Sequence, residues 1–325
     1  MLVLTEQDVR HLLSMDDLIE TMHAALGEFS SGRVLQPLRT VLEVGPQHAF
    51  FGVMAAYMPQ LGALGTKLVT VFGSNLALGL PSHLAVIVLL DSTTGELLAV
   101  MDGRYITEAR TAAVSAVSAR LLARADASVL AILGSGVQAR SHLAAFNRVR
   151  TLKDVRVWSR TEAHRVSFAG EMRHETSAPI RAVESPQQAL DGADLIVLAT
   201  AAREPIIQSD WVAPGAHIAA VGACRPDQRE MDSALVGRAR VFVDSRTGAL
   251  NEAGDIVLAI RDGCFEESRI AGELGELAAG RVGGRTHPDE VTLFKSVGMA
   301  VEDVAAAHLA YVRATERGLG RGVPL

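Results

Sequence analysis

Only two cysteines occur in 325 residues, too few for a disulfide framework, and neither Cys224 nor Cys264 stands in a C-x-x-C pair that would hold structural zinc. The ten histidines never fall into H-E-x-x-H spacing, so no metal site is expected. A basic excess is also missing. The formal charge is −6 and the lysines and arginines are scattered, which gives no electrostatic footprint for nucleic acid or an anionic membrane surface. No apolar run reaches the length of a bilayer span, and Met1–Glu6 has no basic region leading into an apolar one, so the expected location is the cytoplasm. What remains, 49% hydrophobic and 21% charged, is the composition of an ordinary soluble globular protein. Its length exceeds one core, and two domains are expected.

The most informative stretch is Leu130–Ala139, a buried strand that runs through Gly134-Ser135-Gly136-Val137-Gln138 into a helix. In this G-x-G-x-x-A pattern Gly134 allows the tight turn and Gly136 lets backbone amides approach a pyrophosphate. Ala139 is small enough for the helix to lie close on the strand. The helix N-terminus adds orphan N–H groups and the positive end of its dipole. The next strand, Val155–Trp158, ends in Ser159-Arg160-Thr161, where an NAD site would carry an acid. A guanidinium between two hydroxyls suits a ribose 2′-phosphate instead, so the expected cofactor is NADP(H).

Along the chain, Ser14-Met15-Asp16-Asp17 caps an amphipathic helix through Leu18, Ile19, Met22, Ala25, Leu26 and Phe29, which is expected to open the fold. Phe51–Tyr57, Lys67–Phe72, Leu84–Leu90 and Leu97–Met101 read as strands of a mostly antiparallel sheet, and Tyr105–Ala123 as a helix leading out of it. From Val129 strands alternate with helices: Val129–Leu133, Val155–Trp158, Ile180–Val183, Leu195–Thr200, Ile218–Gly222 and Val241–Asp244. The fold class is therefore α/β, a doubly wound parallel sheet of Rossmann type joined to an α+β domain. Residues 1–120 with 299–325 are expected to form the substrate and dimerisation domain, and 121–298 the nucleotide domain. Ser185-Pro186-Gln187-Gln188 marks a helix start. Helical spacing is read again after Asp289, through Phe294, Val297, Val301, Val304 and Ala305, and residues 318–325 read as a mobile tail. In a doubly wound sheet the carboxyl ends of the strands line the ligand crevice, so 134–138, 159–161, Thr200-Ala201 and 221–224 should converge on one ligand.

A small anionic substrate calls for fixed cations, and three stand out in the first half: Arg39, Lys67 and Arg110. Lys67 interrupts an apolar strand and faces either solvent or a functional cavity; Arg110 lies on an alanine-rich helix, where an arginine commonly snorkels to the surface. The stretches Leu35–Thr40, Gly52–Tyr57, Thr66–Thr70, Pro81–His83, Leu97–Gly103, Arg110–Ala116, Leu133–Ala139, Val155–Thr161, Glu204–Ile206, Pro214–His217, Val221–Asp227 and Phe294–Asp303, in this order, resemble the ornithine cyclodeaminase/mu-crystallin family over nearly the whole chain. The likeness is nearest to its mu-crystallin, or ketimine reductase, branch. The resemblance implies that Arg39, Lys67 and Arg110 surround a substrate carboxylate, that Ser82 and His83 lie near the nicotinamide, and that Glu252 is a substrate-side acid. It further implies that Ser135, Val137, Gln138, Ser159, Arg160, Thr161, Thr200, Ala201 and Val221 contact NADPH, and that the chain is a homodimer.

Cys224 stands where ornithine cyclodeaminases carry an aspartate that acts on the substrate amine, and a thiol cannot partner an ammonium group as a carboxylate does. Cys224 is instead read as a pocket wall beside the nicotinamide. The expected reaction is NADPH-dependent reduction of the C=N bond of a 2-imino acid, such as the cyclic ketimines piperideine-2-carboxylate or pyrroline-2-carboxylate. Lys67, its pKa lowered by Arg39 and Arg110, would share or donate the proton, and Glu252 would offset the iminium charge. An amino-acid dehydrogenase of the alanine dehydrogenase kind, an ornithine cyclodeaminase, and a non-catalytic NADPH-dependent ligand-binding protein are the alternatives.

Overall fold

A computed structural model of the chain describes residues 1–45 and 49–324. The chain divides into two units, Met1–Arg110 with Met299–Leu325, and Thr111–Gly298. The first opens with strand β1 (Leu2–Leu4) and helix α1 (Glu6–Leu12), which precede the helix that was expected to open the fold. The sequence signal for α1 is short but complete: the Thr5 hydroxyl accepts from Asp8 N–H while the Asp8 carboxylate accepts from Thr5 N–H, a capping box. Helix α2 (Met15–Ser30) follows with Ser14 as its cap, burying Leu18, Ile19, Met22, Ala25 and Leu26. Strand β2 (Thr40–Val44) lies outside the expected runs, whereas β3 (Ala49–Met58), β4 (Ala63–Val71), β5 (His83–Asp91), β6 (Leu97–Asp102) and helix α3 (Arg104–Leu122) match them to within a few residues.

The second unit alternates β7 (Val129–Leu133), α4 (Val137–Val149), β8 (Asp154–Trp158), α5 (Glu162–Glu171), β9 (Ile180–Ala182), α6 (Pro186–Leu190), β10 (Leu195–Leu198), β11 (His217–Ala220), α7 (Ser233–Arg238) and β12 (Arg240–Val243). Helices α8 (Arg246–Glu252) and α9 (Gly254–Arg261), strand β13 (Ile270–Glu273), helix α10 (Leu274–Ala278) and strand β14 (Thr292–Lys295) complete it. All neighbours in its eight-stranded sheet are parallel, in the order β13-β12-β14-β11-β10-β7-β8-β9. The strand order turns at β7, which lies between β8 and β10, so the loops after these three strands open at one edge of the sheet, where doubly wound folds bind ligands. At α6 the Ser185 hydroxyl accepts from Gln188 N–H as its capping pattern required.

Strand β14 corrects the helical reading after Asp289. Its four residues are all buried between β11 and β12, and an apolar run that short carries no period by which strand and helix could be told apart. The helix begins only at α11 (Ala300–Arg317), in the first unit. There the chain ends in strand β15 (Arg321–Gly322), which pairs antiparallel with β1, so the expected mobile tail adds an edge strand; Leu325 lies outside the described residues. The seven-stranded sheet runs β15-β1-β6-β5-β4-β3-β2, antiparallel except for β1 beside β6, with α11 packed on β3, β4 and β5.

Candidate active site

In β4 the alternating side chains of Ala63, Gly65 and Lys67 point to the buried face, beneath α11. A Cβ on Gly65 would come within 3.3 Å of Val304 on that helix, so strand and helix touch closely just beside the lysine. Lys67 is thus only 2% exposed, and its ammonium lies 2.6 Å from the carboxylate of Asp303, which is fully buried. Arg110 of α3, read from the sequence as a candidate surface charge, is buried as well: Nε donates to Asp303 at 2.9 Å and NH1 to Glu302 at 2.5 Å. Two cations and two carboxylates therefore form one buried cluster of zero formal charge, built from β4, α3 and α11. A buried charge left unpaired would cost several kcal/mol, on the order of 3–5 when one partner is lost, so each cation holds its acid and each acid its cation.

The cluster corrects the sequence reading of Lys67 in its cause. Burial is the first reason its pKa falls to about 8; Arg110 and Arg39 push the same way, and Asp303 opposes them. Burial alone would raise the Asp303 carboxyl, but Arg110 and Lys67 hold it below the usual range. His83 opens β5, which pairs with β4, on the face it shares with Ile87 and Lys67. Burial, with Lys67 and Arg110 adding to it, lowers His83 to about 4, leaving a neutral imidazole at pH 7. Arg39, partly buried, stands in the segment before β2 and is near enough to act on Lys67. Ser82 precedes β5, and its carbonyl accepts from Phe72 N–H.

In the second unit a cleft of about 370 Å³ opens at the carboxyl ends of β7, β8 and β10. Its walls include Gly134, Ser135, Ser159, Arg160, Thr161, Thr200 and Ala201, seven of the residues expected at the cofactor. Gly134 has φ +123°, and a Cβ there would sit 2.5 Å from the Ala199 carbonyl, so the turn admits only glycine. Gly136 caps α4, with Val137 exposed and Gln138 beside it in the first turn. Ser159 is buried and its hydroxyl donates to the Thr161 carbonyl, while Arg160 is exposed at the cleft wall. Val221 and Cys224 follow β11, where the thiol donates to the Val221 carbonyl at 3.2 Å; Glu252 ends α8.

Glu302 and Asp303 are absent from the sequence reading of the site. Acids in the first turn of a helix pass for dipole partners, yet here they sit inside the apolar run Val301–Ala307, and that mismatch was the available signal. Trp158, His164, Ala202 and Ile206 also line the cleft and were not among the residues expected at the cofactor.

Residues 1–318 match the family model for the ornithine cyclodeaminase/mu-crystallin family. The chain belongs to that family. Among its relatives is ketimine reductase mu-crystallin of Mus musculus, 46% identical over 304 residues that cover 93% of each chain. A Delta(1)-pyrroline-2-carboxylate reductase of Bacillus cereus is 37% identical over 99% of each. The solved Delta(1)-pyrroline-2-carboxylate reductase of Thermococcus litoralis, in complex with NADH and L-proline, superimposes with a TM-score of 0.97 at 41% identity, covering 99% of this chain and 100% of the other. The family assignment accounts for the two-sheet architecture and for the dinucleotide pattern after β7.

Proposed function

We propose that this member of the family is an NADPH-dependent reductase of the C=N bond of a 2-imino acid, with a cyclic ketimine of the pyrroline- or piperideine-2-carboxylate type as substrate. One observation carries the reading: a lysine wholly inside the protein, brought to about 8, in a cluster whose acids keep it from being a bare charge. A general acid works best with a pKa near the working pH, and an ordinary lysine is too weak an acid for that role. The imine nitrogen must be protonated before its carbon becomes a good hydride acceptor, and the Lys67 ammonium is the proposed proton donor. Arg39 and Arg110 are the proposed partners of the substrate carboxylate, and the neutral His83 is a hydrogen-bonding wall rather than a further charge. Glu252 is the proposed anion that offsets the iminium.

The cleft of the second unit suits a dinucleotide: a glycine turn would allow close approach of phosphate, Ser135, Ser159, Thr161 and Thr200 stand on its walls, and Arg160 would offer a fork to a 2′-phosphate. Bound there, the reduced nicotinamide would supply the hydride. Preference for NADPH over NADH rests on Ser159-Arg160-Thr161 and the missing acid. Neither Cys224 nor Cys264 is in a disulfide among the described residues, as suits a reducing cytoplasm. A homodimer is proposed because β2, an edge strand, is exposed along its whole length and carries Val41, Leu42 and Val44, with Leu35 and Leu38 beside it.

The deciding experiment assays preformed cyclic imines with NADPH and NADH, pyruvate plus ammonia with NADH, and ornithine with either. Oxidation of NADPH with the cyclic imine is expected. Activity with pyruvate or ornithine alone would overturn the proposal, as would binding of cofactor without turnover of any imine.

A further inference from the structure

A second buried charge cluster lies in the nucleotide unit, and neither the proposed chemistry nor the sequence reading makes use of it. Glu230, Asp255 and Lys295 are all fully buried. One oxygen of the Glu230 carboxylate accepts from Thr200 N–H at 2.6 Å and from the Thr200 hydroxyl at 2.8 Å; the other accepts from Gly222 N–H at 2.9 Å. The main chain of Glu230 joins in, its carbonyl accepting from Ile206 N–H at 2.9 Å and its N–H donating to Asp255 at 2.8 Å. Asp255 in turn pairs with Lys295 of β14 at 3.0 Å. Thr200 and Ile206 are walls of the cleft, and Gly222 follows β11, so one residue ties together the ends of two adjacent strands and a cleft wall. The fit is tight enough to dictate its neighbour: a Cβ on Gly222 would fall 2.2 Å from the Thr200 carbonyl and 2.4 Å from the Glu230 carboxylate.

We propose that Glu230 is a positioning residue for the cofactor, an internal clamp that holds the loops after β10 and β11 in their binding geometry through hydrogen bonds to its ionised carboxylate. This rests on the reading of the cleft as a dinucleotide site. With all three groups ionised the cluster is net negative, and the consequence is visible at Glu230: burial and Asp255 push its carboxyl up to about 7 against the pull of Lys295 and Thr200. Cys224 also acts on Lys295 within this cluster. Charge-assisted hydrogen bonds are roughly twice as strong as neutral ones, so the clamp loosens as pH falls through this range. His164 and Arg160 also stand on the cleft wall.

The test is fluorescence titration of the full protein with NADH, whose diphosphate keeps its charge between pH 6 and 8.5, for the wild type and Glu230→Gln. The wild-type dissociation constant is expected to rise about tenfold from pH 8.5 to 6, from weakened hydrogen bonds. Glu230→Gln, which presents a donor to one of the backbone N–H groups, should bind about tenfold more weakly at pH 8.5 and show no pH slope. Binding within twofold of wild type, or an unchanged slope, overturns the clamp. Should that variant fail to fold, amide exchange of the wild type without cofactor decides: protection at Thr200 and Gly222 falls with pH if the clamp is real, and is constant if it is not. A wild type that binds neither NADH nor NADPH overturns the cofactor reading instead, and the exchange measurement still judges the clamp.

Discussion

Lys67 keeps its proton at pH 7 and gives it up near pH 8, so a reaction that needs Lys67 as an acid slows as pH rises through about 8. Its kcat/KM with a cyclic imine should show that falling limb. Lys67→Met should lower kcat/KM by roughly 10²–10⁴-fold, the usual worth of a positioned acid, while NADPH titration of the same variant is unchanged. Retention of wild-type turnover in Lys67→Met and in Glu252→Gln would remove both residues from the proton route. At the other ligand, Arg160→Ala should weaken NADPH about tenfold or more and leave NADH nearly unaffected, read by parallel titrations, since a charge-assisted pair is worth about 1.5–3 kcal/mol. Equal losses would assign Arg160 to a phosphate that both cofactors share.

Among the elements, the ones legible in the sequence are those with a strong period or an explicit cap. Strand β7 and its glycine turn and the Ser14 and Ser185 caps fall where the residues place them, while β4 begins at Ala63, four residues before the run read from Lys67. Strands β1, β2, β13, β14 and β15 were not read from the sequence: they are short and lie outside the regular alternation of strand and helix that made the equally short β9 to β12 legible. The site divides the same way. Gly134 announces its role through local backbone demand, whereas Asp303 gains its meaning only when α11 is laid across β4. Asp303→Asn should cost on the order of 3–5 kcal/mol of stability, measurable as a fall in Tm, because it takes a carboxylate away from the buried Lys67 and from the buried Arg110, which keeps Glu302. It should also move the pH limb of Lys67 lower, since Asp303 is what holds that lysine up. In Gly134→Ala the added methyl meets the Ala199 carbonyl at 2.5 Å in a left-handed backbone, and cofactor titration should show a loss of tenfold or more.

For the whole molecule, charge and apolar surface carry separate messages. A net charge of −6 gives the molecule no overall attraction for polyanions, and no helix among the described residues is long and apolar enough to cross a membrane. The exposed edge at β2 points to self-association, so sedimentation should give twice the 34.4 kDa chain mass, and Leu42→Glu should shift the species toward the monomer. A monomeric wild type would remove the homodimer. Family, fold class and dinucleotide turn could be read from residues alone, because each depends on contacts between near neighbours in the chain: alternation, caps, a glycine where only glycine fits. The charge state of the chemistry could not. Lys67 with Asp303, and Glu230 with Thr200 and Gly222, are separated by 236, 30 and 8 positions, and a side chain's pKa follows from the water it loses and the charges it meets, which exist only once the chain has folded.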